Sequence, residues 1–408
     1  MPDVCLYDDE FESDTQFVMK TLLLINNAYG PLVGGIENSM RHLSQEALGR
    51  GWRVIIVASD IGLDESVANK HYETQDGIEI YRYRRAPLPW LGPINFFLGY
   101  WRLKAILQAM FNNHPDSLVV SRFHLSTVAA VESGYTDVSY LVPAAMGAEY
   151  GAAPTSINGM EQLRIVFKRW LHVRYQKQSL RCAKVFVFSE LMRSQCDDLA
   201  PGLLKNITLT KPGVDSDRFY LPSNEEKNVL QAKLSLPAGK SLVLFAGRFV
   251  YAKGVHVLIS ALEKLPEDCE LVLVGEGTAE QEYREQIRSL NLDCRVHVRS
   301  ATHHVEDYFK ACDVFVMSSN YEPLGQTILE ALASGLPIAA FSEAAGVVTA
   351  TEELGFNEYI AYADRYDSGE LAQCIERQLN MAEEKRRKQA ELARQTYSWS
   401  KLLDQLTG

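Results

Sequence analysis

Short apolar runs alternate with amphipathic stretches along most of the chain. The apolar run 21–26 is followed by closely spaced glycines, then by a helical repeat of apolar positions over 36–49 and a second run at 54–58. The same order returns later, where the run 242–246 precedes a helical pattern at 255–265. Strands that alternate with helices in this way predict parallel sheets with crossover helices.

The repeated order predicts two domains rather than one. A chain of 408 residues also exceeds what one hydrophobic core usually fills. We therefore predict an α/β fold of two Rossmann-like, doubly wound domains, with a cleft between the carboxyl ends of their parallel sheets. The expected segments are an acidic appendage at 1–18, a first domain at 19–212, a second domain at 213–390 and a final segment at 391–408.

Composition narrows the class of protein. Hydrophobic residues make up 47% of the chain and charged residues 23%, as in ordinary globular proteins. The net charge of -11 argues against a broad nucleic-acid surface, so no nucleic-acid partner is expected. Seven scattered cysteines and the lack of any apolar run near about 18 residues favour a reducing, cytoplasmic location.

The strongest chemical signal is a pair of glutamates, Glu322 and Glu330, around a turn that contains Gly325. The turn follows the predicted strand 314–317 and opens a predicted helix at 326–333. The N–H groups at a helix N-terminus can bind a phosphate, and a carboxylate one turn later can accept hydrogen bonds from a ribose diol. The alternative is that both glutamates only favour the start of the helix electrostatically.

A second signal is a pair of cations, Arg248 and Lys253, on the loop between the predicted strand 242–246 and the next helix. Arginine offers a bidentate fork and lysine a point charge, so the two side chains could converge on a diphosphate and stabilise a leaving nucleotide. The alternative is a pair of solvated surface charges.

Adjacent glycines at Gly34 and Gly35 follow the first strand, where they would let the backbone approach a ligand closely. Neither this pair nor Gly275 with Gly277 forms the three-glycine fingerprint of nicotinamide cofactor sites, so tight turns explain both equally well. No cofactor is expected other than a nucleotide substrate.

Two features resemble metal sites without a ligand set around them. Asp215 and Asp217 lie at the join between domains, where a turn explains them better, and His303 and His304 cannot point the same way on a strand. No metal site is predicted. His124 follows a strand and would either face the cleft or serve as a structural histidine.

The stretch 164–181 carries six cations and no acidic residue, interleaved with aromatic and aliphatic side chains. Together with the aromatic-rich stretch 87–101 it could dock on anionic lipid. The alternative is a pair of helices that pack in the first domain with their cations exposed.

Taken together, these motifs resemble glycosyltransferase family 4. The resemblance rests on the early glycine pair, Arg248 with Lys253, the Val274–Gly277 turn, the spacing of the two glutamates and the closing Tyr397-Ser-Trp399. It implies the GT-B fold, a nucleotide-sugar donor, no required metal, retention of anomeric configuration, and a last helix that crosses back to the first domain.

The resemblance also implies a role for each matching residue. Arg248 and Lys253 would bind the donor diphosphate, Glu330 the ribose and Glu322 the sugar hydroxyls. The segment Leu324, Gly325, Gln326 and Thr327 would face phosphate or sugar, and Gly34 and Gly35 would close on the donor from the first domain. Of these, Arg248, Lys253 and Glu322 are the candidate catalytic residues.

The chain departs from the family pattern at two places. Met146 stands where many members carry a histidine, and Pro212 precedes a glycine where many have asparagine. His124 and Glu149 are then the candidates for the acceptor side.

The expected activity is a metal-independent, retaining transfer of a sugar to a saccharide or lipid-linked acceptor, on the inner face of a membrane. A nucleotide-sugar epimerase, a glycosyl phosphorylase or a silent sugar-nucleotide binding protein remain alternatives.

Overall fold

The computed structural model describes residues 19–30, 35–63, 71–85, 93–146 and 159–408. The acidic segment 1–18, Gly34 and Glu149 lie outside these ranges. Within them, no helix is both long and apolar enough to cross a membrane.

The first domain is built on an eight-stranded sheet. Its strands are β1 Thr21–Ile25, β2 Arg53–Ser59, β3 Tyr72–Gln75, β4 Ile78–Tyr83, β5 Leu118–Ser121, β6 Val138–Leu141, β7 Lys184–Val187 and β8 Ile207–Leu209. The helices are α1 Gly35–Gly49, α2 Pro93–Asn113, α3 His124–Glu132, α4 Gly159–Cys182 and α5 Glu190–Leu199. The strand order is β3-β4-β2-β1-β5-β6-β7-β8, and every pair is parallel except β3 with β4.

The second domain has a six-stranded, wholly parallel sheet of order β11-β10-β9-β12-β14-β16. Its strands are β9 Ser241–Ala246, β10 Cys269–Val274, β11 Val296–Arg299, β12 Val314–Met317, β14 Ile338–Phe341 and β16 Ile360–Ala363, and β13 Tyr321–Glu322 pairs separately with β15 Val348–Thr349. The helices are α6 Asn224–Lys233, α7 Val255–Leu262, α8 Glu280–Ser289, α9 Glu306–Ala311, α10 Gln326–Ala333, α11 Ser368–Leu379 and α12 Glu383–Thr396.

Both sheets bury apolar side chains on two faces, which explains why their central strands read as unbroken apolar runs. In β9, for example, Leu242 and Leu244 face one core of the second domain, whereas Val243 and Phe245 face the other. In both domains the strand order reverses beside the first strand, between β1 and β5 and between β9 and β12. Ligands of doubly wound sheets bind at the carboxyl ends of the strands at such a reversal.

The chain crosses between the domains twice, at adjacent places. Val214 donates a backbone hydrogen bond of 3.3 Å to the carbonyl of Tyr397, and the next helix, α13 Trp399–Thr407, packs against α1 and beneath β5 and β6 of the first domain. The Trp399 ring stacks on His42 at 4.9 Å. Because α12 continues to Thr396, the return crossing lies a few residues later than the predicted boundary at 390.

Candidate functional site

Loops from β9 and β12 meet at the strand-order reversal of the second domain. The β9 loop ends in a 3-10 turn, Tyr251–Lys253, and Gly254 follows with a φ of +64°. A side chain at Gly254 would place its Cβ 1.9 Å from the carbonyl oxygen of Ser318, which follows β12. The Ser318 hydroxyl in turn donates a 2.8 Å hydrogen bond to the carbonyl of Lys253. Only glycine fits here, and the close approach fixes Lys253 beside the second loop.

Lys253 and Glu322 form an ion pair across these two loops. The side chains are only 19% and 10% exposed, so the pair is partly dehydrated. Glu322 is held on its backbone side as well, since its carbonyl accepts a 3.0 Å hydrogen bond from Ala350 next to β15. The structure therefore brings together two of the three predicted catalytic residues.

Arg248, the third of them, is exposed on the same β9 loop. Among the residues that the structure describes, it has neither an ion pair nor a side-chain hydrogen bond. Its guanidinium is thus open to solvent on the loop that also carries the paired Lys253. An anion in the cleft would meet one cation that is exposed and one that already has a carboxylate partner.

The helix α10 starts directly after this ion pair. Gly325 caps it with a φ of +75°, and a Cβ at that position would lie 2.9 Å from Met317 Cε and 3.0 Å from Glu322 Cγ. Glycine has no side chain that could accept a hydrogen bond from the first backbone N–H groups of α10. These groups and the half-buried Thr327 form a polar end to the helix beside Glu322.

Two side chains of the same loop have structural partners. Leu324 packs on the core of the second domain. The Gln326 amide donates a 2.9 Å hydrogen bond to the carbonyl oxygen of Gly213 at the domain junction. At these two positions the backbone, rather than the side chain, is left for a ligand.

Glu330 lies one turn further along α10, in the wall of a cavity of about 630 Å³ between the domains. Burial raises the pKa of its carboxyl group to about 7; the charge of Arg218 opposes the shift, and Glu306 and Asp215 add to it. The first domain contributes Tyr29 and other polar residues to this cavity. The described lining does not include Lys253 or Glu322, so Glu330 marks a second part of the cleft.

Arg218 and Glu306 were not singled out in the sequence, although both line this cavity. They form an ion pair, and Arg218 Nη2 also donates a 2.5 Å hydrogen bond to the carbonyl of His303. The two residues are 88 positions apart and belong to no motif. Only the folding of the join against α9 brings them together.

The carboxylate of Asp215 stabilises a turn at the domain join. Asp215 Oδ1 accepts hydrogen bonds from the backbone N–H groups of Asp217 and Arg218, at 3.2 and 3.3 Å. His303 and His304 line the cavity between the domains. No cluster of three potential metal ligands occurs in the described part of the chain.

His124 does not face the cleft, and its predicted acceptor-side role needs correction. The ring is 3% exposed, and its Nε2 lies 2.8 Å from Nδ1 of His172 on α4. Burial, with a smaller contribution from His172, lowers the pKa of His124 to about 3. Phe123 packs on the ring at 4.4 Å. His124 is therefore a neutral histidine that joins α3 to α4.

Of the glycine pair, Gly35 is the first residue of α1 and is exposed, with no described atom near a notional Cβ. Gly34 and the other acceptor-side candidate, Glu149, lie outside the described residues. Met146 stands at the position where many family members have histidine. Its backbone N–H donates a 2.6 Å hydrogen bond to the side chain of Gln176.

Residues 226–396 match the family model described as glycosyl transferases group 1. The chain is 34% identical over 146 residues to a D-inositol 3-phosphate glycosyltransferase from Xylanimonas cellulosilytica, a match that covers 34% of this chain and 35% of the relative. The chain spans about a third of the length of the first curated relatives that it matches.

Solved structures are similar over nearly the whole chain. Sucrose-phosphate synthase from Thermosynechococcus elongatus has a TM-score of 0.74 at 20% identity, over 95% of this chain and 97% of that one. Alr3699/HepE from Anabaena, solved in complex with UDP-glucose, has a TM-score of 0.70 at 19% identity, over 95% and 98%. These similarities confirm the predicted GT-B fold.

Proposed function

We propose that this chain is a retaining glycosyltransferase of the family 4 kind, which moves a sugar from a nucleotide-diphosphate sugar to an acceptor hydroxyl. The observation that carries the proposal is the Lys253–Glu322 ion pair, set between the β9 and β12 loops beside the N-terminus of α10. The group 1 family match over the second domain supports the activity, and the UDP-glucose complex of a structural neighbour supports the class of donor.

In this proposal the donor diphosphate takes the place of Glu322 as the partner of Lys253. Arg248 and the free N–H groups of α10 add positive charge around the phosphates, which stabilises the nucleotide as it departs. Glu322, released from Lys253, accepts hydrogen bonds from the sugar hydroxyls. Glu330 accepts hydrogen bonds from the ribose diol in the neighbouring cavity.

The acceptor binds on the first domain, and its hydroxyl attacks the anomeric carbon from the face that the leaving group vacates. The bond to the diphosphate oxygen breaks, the new glycosidic bond forms on the same side, and the acceptor proton passes to the departing phosphate. This route retains the anomeric configuration without a protein nucleophile. The two domains must both contribute, because neither sheet alone carries the donor and acceptor surfaces.

We further propose that the transfer needs no metal ion and no cofactor besides the donor. The positive charge that a divalent cation would bring to the diphosphate comes instead from Lys253, Arg248 and the end of α10. Gly254 and the hydrogen bond from Ser318 hold the backbone of Lys253 in place beside the β12 loop.

We also propose that the enzyme works at the surface of an anionic membrane on a lipid-linked or polysaccharide acceptor. The helices α2 and α4 pack together through Phe96 and Tyr175, and large apolar side chains stand exposed on both. These are Ile94, Phe97 and Trp101 on α2 and Ile165, Val166, Phe167 and Trp170 on α4, which we call the α2–α4 patch. Basic residues of α4 flank them, and such an apolar and basic surface suits anionic headgroups.

A turnover assay tests the proposal. The purified chain is incubated with common sugar nucleotides and with saccharide or lipid-linked acceptors, and both free nucleoside diphosphate and a new glycoside are measured. Joint appearance of the two products, with the donor's anomeric configuration kept, supports a retaining transferase. An isomerised donor, a sugar phosphate, or nucleotide binding without turnover in any donor–acceptor pair would each reject it in favour of an epimerase, a phosphorylase or a binding protein.

A further inference from the structure

Arg122 lies where the strand order of the first domain reverses. In the second domain, the loops after β9 and β12, which bind the donor in the proposed mechanism, lie at the corresponding place. It follows β5 directly, and its backbone N–H donates a 2.9 Å hydrogen bond to the carbonyl of Ile25 at the end of β1. The carboxyl ends of β1 and β5 are the two strand ends between which a doubly wound sheet binds its ligand. Arg122 therefore occupies the ligand-binding edge of this sheet.

The guanidinium of Arg122 is buried, and two of its three nitrogen atoms have no hydrogen-bond partner in the described part of the chain. The residue is only 4% exposed, and its Nε and Nη1 atoms have no hydrogen-bond acceptor among the described residues. It lies 5.5 Å over the ring of Phe188, which replaces neither donor. Burial lowers the pKa of Arg122 to about 10, and charge interactions with Tyr140 and Glu37 oppose this shift. An arginine remains charged at that value, so a buried cation has no ion pair among the described residues.

Such an arrangement is costly to the fold unless a ligand completes it, because a buried guanidinium gives up its hydration without a compensating carboxylate. Arg82 in the same domain shows the usual solution. It is equally buried, at 3% exposed, but it forms an ion pair with Glu73 and donates a 2.9 Å hydrogen bond to the carbonyl of Tyr29.

The surroundings of Arg122 face the donor loop across the cleft. Phe188 is followed by Ser189, whose hydroxyl donates a 2.8 Å hydrogen bond to the carbonyl of Pro323, the residue next to Glu322. Glu37, on the other side, lines the cavity between the domains. The donor diphosphate has its own cations in the second domain, so the anion that Arg122 lacks belongs to the other substrate.

We propose that Arg122 binds an anionic group of the acceptor, a carboxylate or a phosphate, at the carboxyl ends of β1 and β5. The inference rests on the proposed function and narrows its acceptor to a charged saccharide, such as one that ends in a uronic acid or a sugar phosphate. Glu37, which lines the cavity between the domains, accepts hydrogen bonds from the hydroxyls of the same sugar. The bidentate geometry of a guanidinium fits either planar carboxylate or phosphate oxygens.

The ligand test uses protein labelled with ¹⁵N-arginine, in which the Nε–Hε signal of Arg122 is assigned by its loss in Arg122→Met. Sodium glucuronate, inorganic phosphate and neutral glucose are titrated to about 50 mM, a range that covers the weak binding of a single-sugar fragment. We expect a saturable shift of the Arg122 signal with one or both anions and none with glucose. Response to glucuronate alone assigns a carboxylate acceptor, and response to phosphate alone assigns a phosphorylated one.

A stability comparison separates a binding role from a structural one. If Arg122 is kept for a ligand, Arg122→Met removes an unpaired buried charge and raises the melting temperature, whereas Arg82→Met breaks a satisfied ion pair and lowers it. Either a lower melting temperature for Arg122→Met or the absence of any anion response in the wild-type protein overturns the inference.

Binding of uridine diphosphate is measured in parallel on the same samples. Arg122→Met is expected to bind it as the wild type does, since the donor cations are elsewhere. If uridine diphosphate and the other nucleoside diphosphates fail to bind the wild-type protein, the proposed function fails. If they bind and neither anion shifts the Arg122 signal, only the anionic acceptor fails.

Discussion

The hydroxyl of Ser189 in the first domain donates a 2.8 Å hydrogen bond to the carbonyl oxygen of Pro323, in the loop that follows β12 of the second domain. Ser189 directly precedes the helix α5. A side chain of the second domain also holds the start of this helix, because the carboxylate of Glu353 accepts a 3.0 Å hydrogen bond from the backbone N–H of Leu191. The N-terminus of α5 is thus capped by one residue of its own domain and one of the other. The position of the first domain relative to the second is thereby linked to the conformation of the loop that follows β12.

Loss of the Glu353 cap should open the cleft. In Glu353→Ala the first N–H groups of α5 lose an acceptor from the second domain, so we expect a larger radius of gyration by small-angle scattering without nucleotide. Donor binding should compact this variant more than it compacts the wild type. Glu352→Ala is the matched control, because Glu352 accepts its hydrogen bond from Glu343 within the second domain. An identical radius for both variants and the wild type would contradict the link.

Lys253→Ala should reduce turnover at saturating acceptor by at least about tenfold, or roughly 1.4 kcal/mol of transition-state stabilisation. The ammonium group is the less exposed of the two cations that follow β9, and no other described lysine contacts Glu322. Lys388→Ala is the control, since Lys388 pairs with Glu384 on the exposed face of α12. A variant at position 253 with the wild-type rate would remove the lysine from the mechanism.

Nucleotide binding should depend on the ionisation of Glu330. Its pKa is about 7 in the folded protein, and only the carboxylate can accept both hydroxyls of a ribose. We expect the dissociation constant for a nucleoside diphosphate to fall as the pH rises from about 6 to 8. Glu330→Gln should bind more weakly and lose the carboxyl-dependent part of this pH profile. An unchanged profile in the variant would place the titrating group elsewhere.

The same shift has a consequence for stability. The pKa of Glu330 is raised in the folded state, from 4.5 to about 7, so the folded protein keeps a proton that the unfolded chain has lost. The free energy of unfolding should therefore fall as the pH rises through this window, by on the order of 3 kcal/mol. Chemical denaturation at several pH values checks it, and Glu330→Gln should be more stable than the wild type at the upper end only.

Activity should persist in excess chelator, because side-chain cations rather than a metal ion neutralise the diphosphate in the proposed mechanism. Turnover is measured before and after exhaustive treatment with chelator, then after addition of single divalent ions. A mild general stimulation by salt is compatible with the proposal. Complete loss that one specific metal reverses would disprove metal independence.

The α2–α4 patch should carry membrane binding. Trp101 and Trp170 are 64% and 55% exposed, and indole rings insert readily at the headgroup level of a bilayer. The double variant Trp101→Ser with Trp170→Ser should sediment less with anionic vesicles than the wild type, and the wild type should prefer anionic to neutral lipid. Val229→Ser is the control, because Val229 is 62% exposed on the second domain. Equal sedimentation of all three proteins would exclude the patch.

The strands and the helix α10 could be predicted from sequence because their signals are local. The run of apolar residues in β9 and the turn at Gly325 each report a backbone state that neighbouring residues decide. Predicted strand and helix ends accordingly match the structure to within a few residues, as for β12 and α10. Lys253 and Glu322 were singled out from the same local signals, but their ion pair with each other was not predicted.

Contacts between distant segments could not be predicted in this way. The sequence shows that His124 follows a strand, but not that His172, 48 residues later, closes over it. Arg122 stands two positions earlier, and nothing in the local pattern distinguishes an exposed arginine from a buried one without a partner. Burial of a polar group depends on how distant helices and strands pack together. The local pattern of apolar and polar residues along the sequence does not encode that packing.

The helix α13 also sets an order of assembly during synthesis. Leu402 and Leu403 complete the core of the first domain, and Ser139 of β6 donates a 2.6 Å hydrogen bond to the carbonyl of Leu406. The second domain is made of one continuous stretch, but the first domain needs residues that leave the ribosome some two hundred positions after its last strand. On a translating ribosome, the second domain can therefore finish its core while the first domain, synthesised before it, still lacks α13.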